Sequence, residues 1–336
     1  TGTKVMVLDA NSRISLSNND AGGDTGTDST SGNTLFGYLA GEDIADSGRD
    51  NTLLGHGSGK NISTGDENVT IGSEAGASLI AAIENTAVGM KALYEDTQGD
   101  GTTAIGHKAL YYQAVSDGVS GNTGVGRKAG WYNETGTNNT YLGYDAGRGV
   151  SGKSHSGCVF IGANAAQKAY TGDDNIAIGY GSMDDVDADD TVGASTSNTF
   201  IGTNAGGGTW VTAASNYNVG IGNNVMDAAM NGAVGNTSIG YASTSALISG
   251  DNNVCLGKDV AVGLTTGNSN VIIGMNANTA SASANRTAIG YDCQAVADNS
   301  VTLGDGDVTA VYMGDDADTG TGAIAHAYQY HAKSLA

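Results

Sequence analysis

Asn51-Thr52-Leu53-Leu54-Gly55, Asn68-Val69-Thr70-Ile71-Gly72 and Asn85-Thr86-Ala87-Val88-Gly89 are one pentapeptide written three times, each copy 17 residues after the last. Working outward, the same Asn-[Thr/Val]-x-[Ile/Leu/Val]-Gly core recurs in sixteen copies, closing first at Gly37 and last at Gly304. The commonest spacing is 17 residues and the largest is 23, from Gly179 to Gly202. Self-similarity at such a period marks a chain built of stacked units, none of which can bury its own apolar face alone.

Each column of the repeat has a physical reading. The residue before the Gly is always large and apolar, from Phe36 and Leu54 to Ile289 and Leu303. Two residues earlier stands a β-branched residue, from Thr34 to Val301. Positions two apart share one face of a strand, and β-branched residues suit a pleated surface. Each copy therefore reads as one short strand with this pair turned inward. The residue between them varies from Gly124 to Tyr141 to Phe200, which fits a face with looser packing demands. The Gly ends the strand, by a positive φ or by close approach of a neighbouring backbone. Three residues later comes a small side chain (Ala75, Ala92, Ala109, Ala129), which predicts a narrow interior on the next wall. The opening Asn fits two accounts equally, a hydrogen-bonded amide ladder between turns or ordinary turn chemistry.

The expected fold is an all-β parallel β-solenoid, or β-roll, of ~17-residue turns. Sixteen turns at the strand separation of ~4.8 Å give a rod roughly 75 Å long. Segments such as Ser63-Thr64-Gly65-Asp66 are outward loops, where insertions leave the stack undisturbed. Residues 1–32 form a lead-in of two short strands and a polar loop, residues 33–304 the repeat, and residues 305–336 a strand and a cap or helical tail.

Composition fits a thin, repeated core. The 336 residues include 54 Gly, no Pro and only 15% charged residues, against about 25% charged in an ordinary domain. One large apolar column per turn is meagre, and association of several chains would make up the deficit. The net charge of −21, with 14 scattered basic residues, argues against a nucleic-acid partner. No apolar run approaches a membrane span of ~18 residues. Cys158, Cys255 and Cys293 form no disulfide framework and read as buried filler.

Few segments suggest chemistry. Gly124-Val125-Gly126-Arg127-Lys128-Ala129 matches a dinucleotide fingerprint but lies inside the repeat, with no βαβ unit around it. His56-Gly57-Ser58-Gly59-Lys60 resembles a phosphate loop but lacks its glycine spacing. The acidic run Asp184–Asp190 puts carboxylates at alternate positions, and Asp185, Asp187 and Asp189 are the candidates for a weak surface Ca²⁺ site. Its sixth and twelfth loop positions hold Asp190 and Thr196 instead of Gly and Glu, so a solvated loop is the competing reading. Asp315, Asp316 and Asp318 form a second acidic cluster, and His326 and His331 do not share a helix face well. Trp131, Tyr132 and Trp210 lie between cores; loop aromatics of this kind are candidate sugar-stacking residues, with packing between protomers as the alternative. No residue stands out as catalytic and no cofactor is implied.

Copies such as Asn85-Thr86-Ala87-Val88-Gly89-Met90-Lys91-Ala92-Leu93 and Asn139-Thr140-Tyr141-Leu142-Gly143-Tyr144-Asp145-Ala146-Gly147 resemble the Asn-Thr-Ala-x-Gly-Tyr-x-Ala-Gly repeats of phage tail-fibre-like proteins. The flanks Val5 to Asp20 and Asn299 to Gly304 look like those of such repeats. The repeat is also similar to the heads of trimeric autotransporter adhesins, which are parallel β-rolls with three chains around one axis. The resemblance implies a homotrimer, intertwined or side by side. It implies a structural virion fibre rather than an enzyme, working outside the cell among other virion or fibre proteins and meeting a host-surface glycan or protein. Many phage relatives end in a self-cleaving chaperone domain, which this stretch does not contain. The autotransporter anchor barrel is also missing from this stretch, so the viral reading is expected ahead of a bacterial extracellular adhesin or surface filament. A polysaccharide depolymerase on a solenoid scaffold is the third reading.

Overall fold

In a computed structural model, residues 32–308 are described apart from 46, 117, 170, 186–193 and 211–212, together with the backbone of 7–8 and 14–15. Sixteen strands, from Thr34–Phe36 to Ser300–Leu303, form one parallel sheet in which every core pairs with its neighbours in sequence. The register follows the repeat: Thr123, Gly124 and Val125 lie against Thr140, Tyr141 and Leu142. Two further short strands, Gly99–Asp100 and Gly118–Val119, pair in parallel beside the main sheet. At the N-terminus Val7–Leu8 pairs antiparallel with Ile14–Ser15, as the lead-in predicts. The polar loop from Asn18 to Ser31, the expected strand from Val308 to Met313 past its first residue and the expected helix from Ala323 lie outside the described residues. So do the Asp315 cluster and the two C-terminal histidines.

The glycine corner does what both sequence readings required. Gly89 has a φ of 128°, and a Cβ added there would lie 2.6 Å from the Gly106 carbonyl oxygen of the next turn. Its own N–H donates back to Ile71 O at 2.7 Å. A side chain at this position would break both the backbone conformation and the stacking distance. After the corner the small column forms the next wall: Gly130 N donates to Ala146 O, and Gly147 N to Ala165 O.

The opening Asn forms a ladder rather than a local turn. In the run Asn175, Asn198, Asn218, Asn236, Asn253 and Asn270, each Nδ2 after the first donates to the preceding Asn Oδ1 at 2.8–3.1 Å. The same Nδ2 also donates to a carbonyl later in its own turn, as Asn218 does to Ala233 O at 2.8 Å. All six residues are buried. Burial without these bonds would be costly, so the ladder fixes the register of each turn on the last.

The strand faces are opposite to the expectation. The expected inward pair points outward, and the variable middle residue is the core. Leu53, Ala87, Tyr141, Phe160, Phe200, Cys255 and Ile272 are fully buried, whereas Leu54, Leu142 and Ile239 remain 42%, 47% and 40% exposed. Period-two alternation identifies two faces but does not say which is inside, and a one-residue change of phase exchanges them. The interior is narrow and must be filled turn by turn with compensating volumes. Beside Tyr141 stands Gly130, whose added Cβ would lie 2.6 Å from the ring, and beside Phe200 stands Gly220. Variability marks the packed face here because large and small residues alternate to keep the volume constant.

The three cysteines are free and buried, in agreement with the filler reading. Cys158 takes an Asn position in the ladder, and its thiol donates to Gly172 O at 3.3 Å in place of the amide. Burial pushes its pKa up to about 12, so it stays a neutral thiol.

Candidate binding surfaces

Two outer surfaces stand apart from the rest. The first is the outward face of the sheet itself. Along it run three columns: the β-branched residues, the Ile/Leu/Val ladder, and the residue just past each corner, which includes Tyr38, Met90, Tyr144, Tyr180, Tyr241 and Tyr291. Phe36 at one end is 60% exposed and Leu303 at the other 41%. Summed over sixteen turns the ladder exposes on the order of 1,000 Å² of apolar surface, beyond the few hundred Å² usual for the largest patch on a monomer. Parallel sheets are moreover found with both faces covered.

The second surface lies past the corner, on turns closing at Gly89, Gly106 and Gly126. There the chain places Tyr94 and Glu95, Tyr111 and Tyr112, and Trp131 and Tyr132 at the same offset on consecutive turns. The parallel stack brings the rings together. Tyr94 and Tyr111 stack at 5.0 Å, Tyr112 and Tyr132 at 5.1 Å, and Trp131 and Tyr132 at 4.7 Å, with Tyr111 edge-on to Tyr112 at 4.6 Å. All five rings are half-buried. They form a continuous aromatic ledge along the long axis.

Cations flank the ledge. The Nζ of Lys128 sits 3.8 Å from the Trp131 ring centre, that of Lys108 5.4 Å from Tyr111, and that of Lys91 4.7 Å from Tyr94. Lys91 is also paired with Glu74 at 3.1 Å. Partial burial and the neighbouring Arg127 lower the Lys128 pKa, while burial, Lys108, Arg127 and Lys128 lower that of His107. Like charges are thus held together in a chain whose net charge is −21. The carboxylate facing Lys128 is Asp145, which is buried, with Oδ2 4.0 Å from Arg148 Nη1, while Glu95 lies beside Tyr111. Three buried polar atoms here have no hydrogen-bond partner: Trp131 Nε1, Arg148 Nε and Asp145 Oδ1. At the Tyr94 end the ledge opens into a hollow of about 250 Å³ lined by His56, Lys60, Glu74 and Tyr94 among others.

Of the three sequence candidates for sugar contact, Trp131 and Tyr132 lie together on this ledge. Trp210 does not. It is buried, edge-on to Phe200 at 5.6 Å, with Nε1 donating to Gly206 O at 3.1 Å. It stands eight residues past its corner, Gly202, rather than five, and so does not join the ledge column. Asp185 accepts from Thr209 Oγ1 at 2.8 Å and pairs with Lys168 at 3.4 Å, while Asp187 and Asp189 lie outside the described residues. No group of metal-ligating side chains occurs among the described residues. In the fingerprint-like stretch, Gly124 packs beneath Leu110 and Gly126 is a corner. In the phosphate-loop-like stretch, Ser58 is a buried partner of Thr70 and Lys60 pairs with Glu42.

Sequence reading missed the role of many acids. Six residues before the corner, Asp66, Asp100, Asp173 and Asp251 each accept the backbone N–H of the preceding turn at 2.7–2.8 Å. Asn216 and Asn268 do the same. Aligning the loops on the corner glycine, instead of treating them as spacers, shows this Asp/Asn column.

No protein-family model matches the chain, and no curated protein matches it in sequence.

Proposed function

We propose that this chain forms the rod of a homotrimeric fibre of the phage tail-fibre kind, which carries host-surface attachment outside the cell. The observation that supports it most is the sixteen-turn apolar ladder on the outer face of a parallel sheet. A face of this length and regularity suits a partner with the same repeat, and a second and third copy of the chain supply one at every turn. The uniformity of the ladder is what such a partner demands, since each turn meets the same surface as the next. The repeat type quoted above supplies the viral setting.

Native mass by light scattering, before and after unheated detergent, tests this reading. Three chains that resist detergent are expected. The combined Leu142→Lys, Ile221→Lys and Ile239→Lys variant should give monomers that keep their β-sheet spectrum, because these side chains leave the interior untouched. A monomeric or dimeric parent chain would overturn the proposal.

A further inference from the structure

The turns that carry the aromatic ledge differ from the others inside as well as outside. Seven residues past the corner, five other turns bury an aliphatic side chain, Ile44, Ile62, Leu79, Leu247 and Leu264, while Thr209, Ala229 and Ser281 at that offset are exposed. Directly behind the ledge, that position holds Asp96, Gln113 and Asn133, all buried. They are satisfied only by a dedicated network. Gln113 Nε2 donates to Asp96 Oδ2 at 3.0 Å and to Thr102 Oγ1 at 2.9 Å, and Asn122 Nδ2 donates to Gln113 Oε1 at 2.9 Å. Asp96 Oδ1 accepts the Gly99 N–H at 2.9 Å. Exchanging leucine-sized filler for a buried carboxylate and two amides opposes stability, and such exceptions to a local rule concentrate at functional places. In these turns the inner wall behind the ledge is tied by hydrogen bonds of fixed direction.

We infer that the ledge of Tyr94, Tyr111, Tyr112, Trp131 and Tyr132 binds an acidic polysaccharide, whose sugar rings lie on the aromatic faces while their carboxylate or sulfate groups meet Lys108 and Lys128. This rests on the fibre reading only for its setting, a surface-recognition protein; the binding chemistry stands on the ledge alone. A pyranose ring turns axial C–H groups to one side, an apolar face that matches an aromatic ring. A linear polymer of such rings suits a ledge extended along the rod rather than a closed pocket. Each lysine ammonium that rests on a ring keeps N–H donors free for an anion. The hollow at Tyr94 can take a terminal sugar. Single-stranded nucleic acid also uses rings and cations. Its unbroken line of phosphates, however, would soon leave these turns for a surface dominated by 35 acidic residues against 14 basic ones.

The test is calorimetric binding to the full chain of four probes at low salt: a galacturonate hexamer, dextran sulfate, uncharged dextran of similar length, and poly-glutamate. The first two should bind. Dextran should bind at least tenfold more weakly, and poly-glutamate, which has charge without sugar rings, likewise. Trp131→Ala and the Lys108→Gln/Lys128→Gln double variant should each lose at least tenfold toward the two binding probes, while Lys258→Gln, beside the isolated Tyr241, should lose nothing. Native mass and β-sheet spectrum are checked for each protein; if Trp131→Ala fails to fold, the lysine pair decides. The inference is overturned by equal binding of dextran, by equal binding of poly-glutamate, by tighter binding of oligo-dT, by no binding of either acidic probe, or by the lysine variant binding as well as the parent. A trimer that binds no acidic glycan overturns this inference and leaves the fibre reading standing, and a monomer that binds one does the reverse.

Discussion

The turns between Asn175 and Asn270 and those between Asn85 and Phe160 share one repeat but solve it differently. In the first block six stacked asparagines form an unbroken ladder, and Leu247 and Leu264 fill the inner wall. In the second the ladder is interrupted at Thr102 and Cys158, and the inner wall carries Asp96, Gln113, Asn133 and the buried His155. The second block is also the one with the aromatic ledge. A solenoid repeats its own solution wherever nothing else is asked of it, so the place where it departs from that solution on both sides of the wall points to where a second demand acts.

The uniform block should be the more sensitive to losing one rung. The side chain of Asn236 donates to Asn218 Oδ1 at 3.0 Å and to Gly250 O at 2.7 Å, and its oxygen accepts from the backbone and side chain of Asn253. Asn236→Ala removes all of these and strands buried groups on both neighbouring turns, at an expected loss of ~3 kcal/mol. Denaturant unfolding measures it. A loss below ~1 kcal/mol would mean that the ladder is a consequence of the stack rather than a cause of it.

Protons should separate the blocks next. His155 is buried, its Nε2 meets Tyr141 Oη at 2.8 Å, and burial lowers its pKa to about 4. In the unfolded chain the same imidazole takes a proton near pH 6.5. Between these values the unfolded state binds more protons, so this group's contribution to stability is present above pH 6.5 and falls as the pH drops toward 4, by about 3 kcal/mol in all. Asp96 has the opposite sign. Burial raises its pKa above 3.8, so the stability it contributes is present at low pH and is lost as the pH rises through the folded value. Unfolding midpoints of the parent, His155→Gln and Asp96→Asn chains between pH 4 and 7 check both. Relative to the parent, His155→Gln should lose the acid-side decline, and Asp96→Asn should lose the opposing one. Parallel pH profiles for all three proteins would remove these groups from the account.

The outline of the fold was legible because its period is written in residues with few alternatives. The corner needs glycine twice over, by φ and by the backbone of the next turn, and the strand columns keep their spacing of two. Which face lies inside was not legible, because alternation is symmetric and the cue of uniformity points outward when the uniform column meets something other than the core. Trp131 and Tyr132 were readable as aromatics on a between-core segment. Their union with Tyr94, Tyr111 and Tyr112 follows from aligning turns on the corner. Trp210 also lies between cores but stands eight residues past its corner, Gly202, rather than five, so aligning turns on the corner separates it from the ledge.

The smallest effect concerns the residue just before each ladder position, which is left-handed in both blocks. Asn252 occupies it in the uniform block with φ of 56°, and Glu84 does so beside the ledge with φ of 59°. Asparagine tolerates this conformation because its short amide can hydrogen-bond locally, whereas a longer side chain meets the cost of a crowded Cβ at ~1 kcal/mol. Glu84→Asn should therefore raise stability by about 0.5 kcal/mol, and Asn252→Glu should lower it by the same amount. Reciprocal changes of equal size, read from denaturant midpoints, would show that the two blocks share one backbone and differ only in what hangs from it. A gain confined to one block would instead mean that the ledge turns carry a different backbone balance as well, so that their departure from the repeat extends beyond the side chains of Asp96, Gln113 and Asn133.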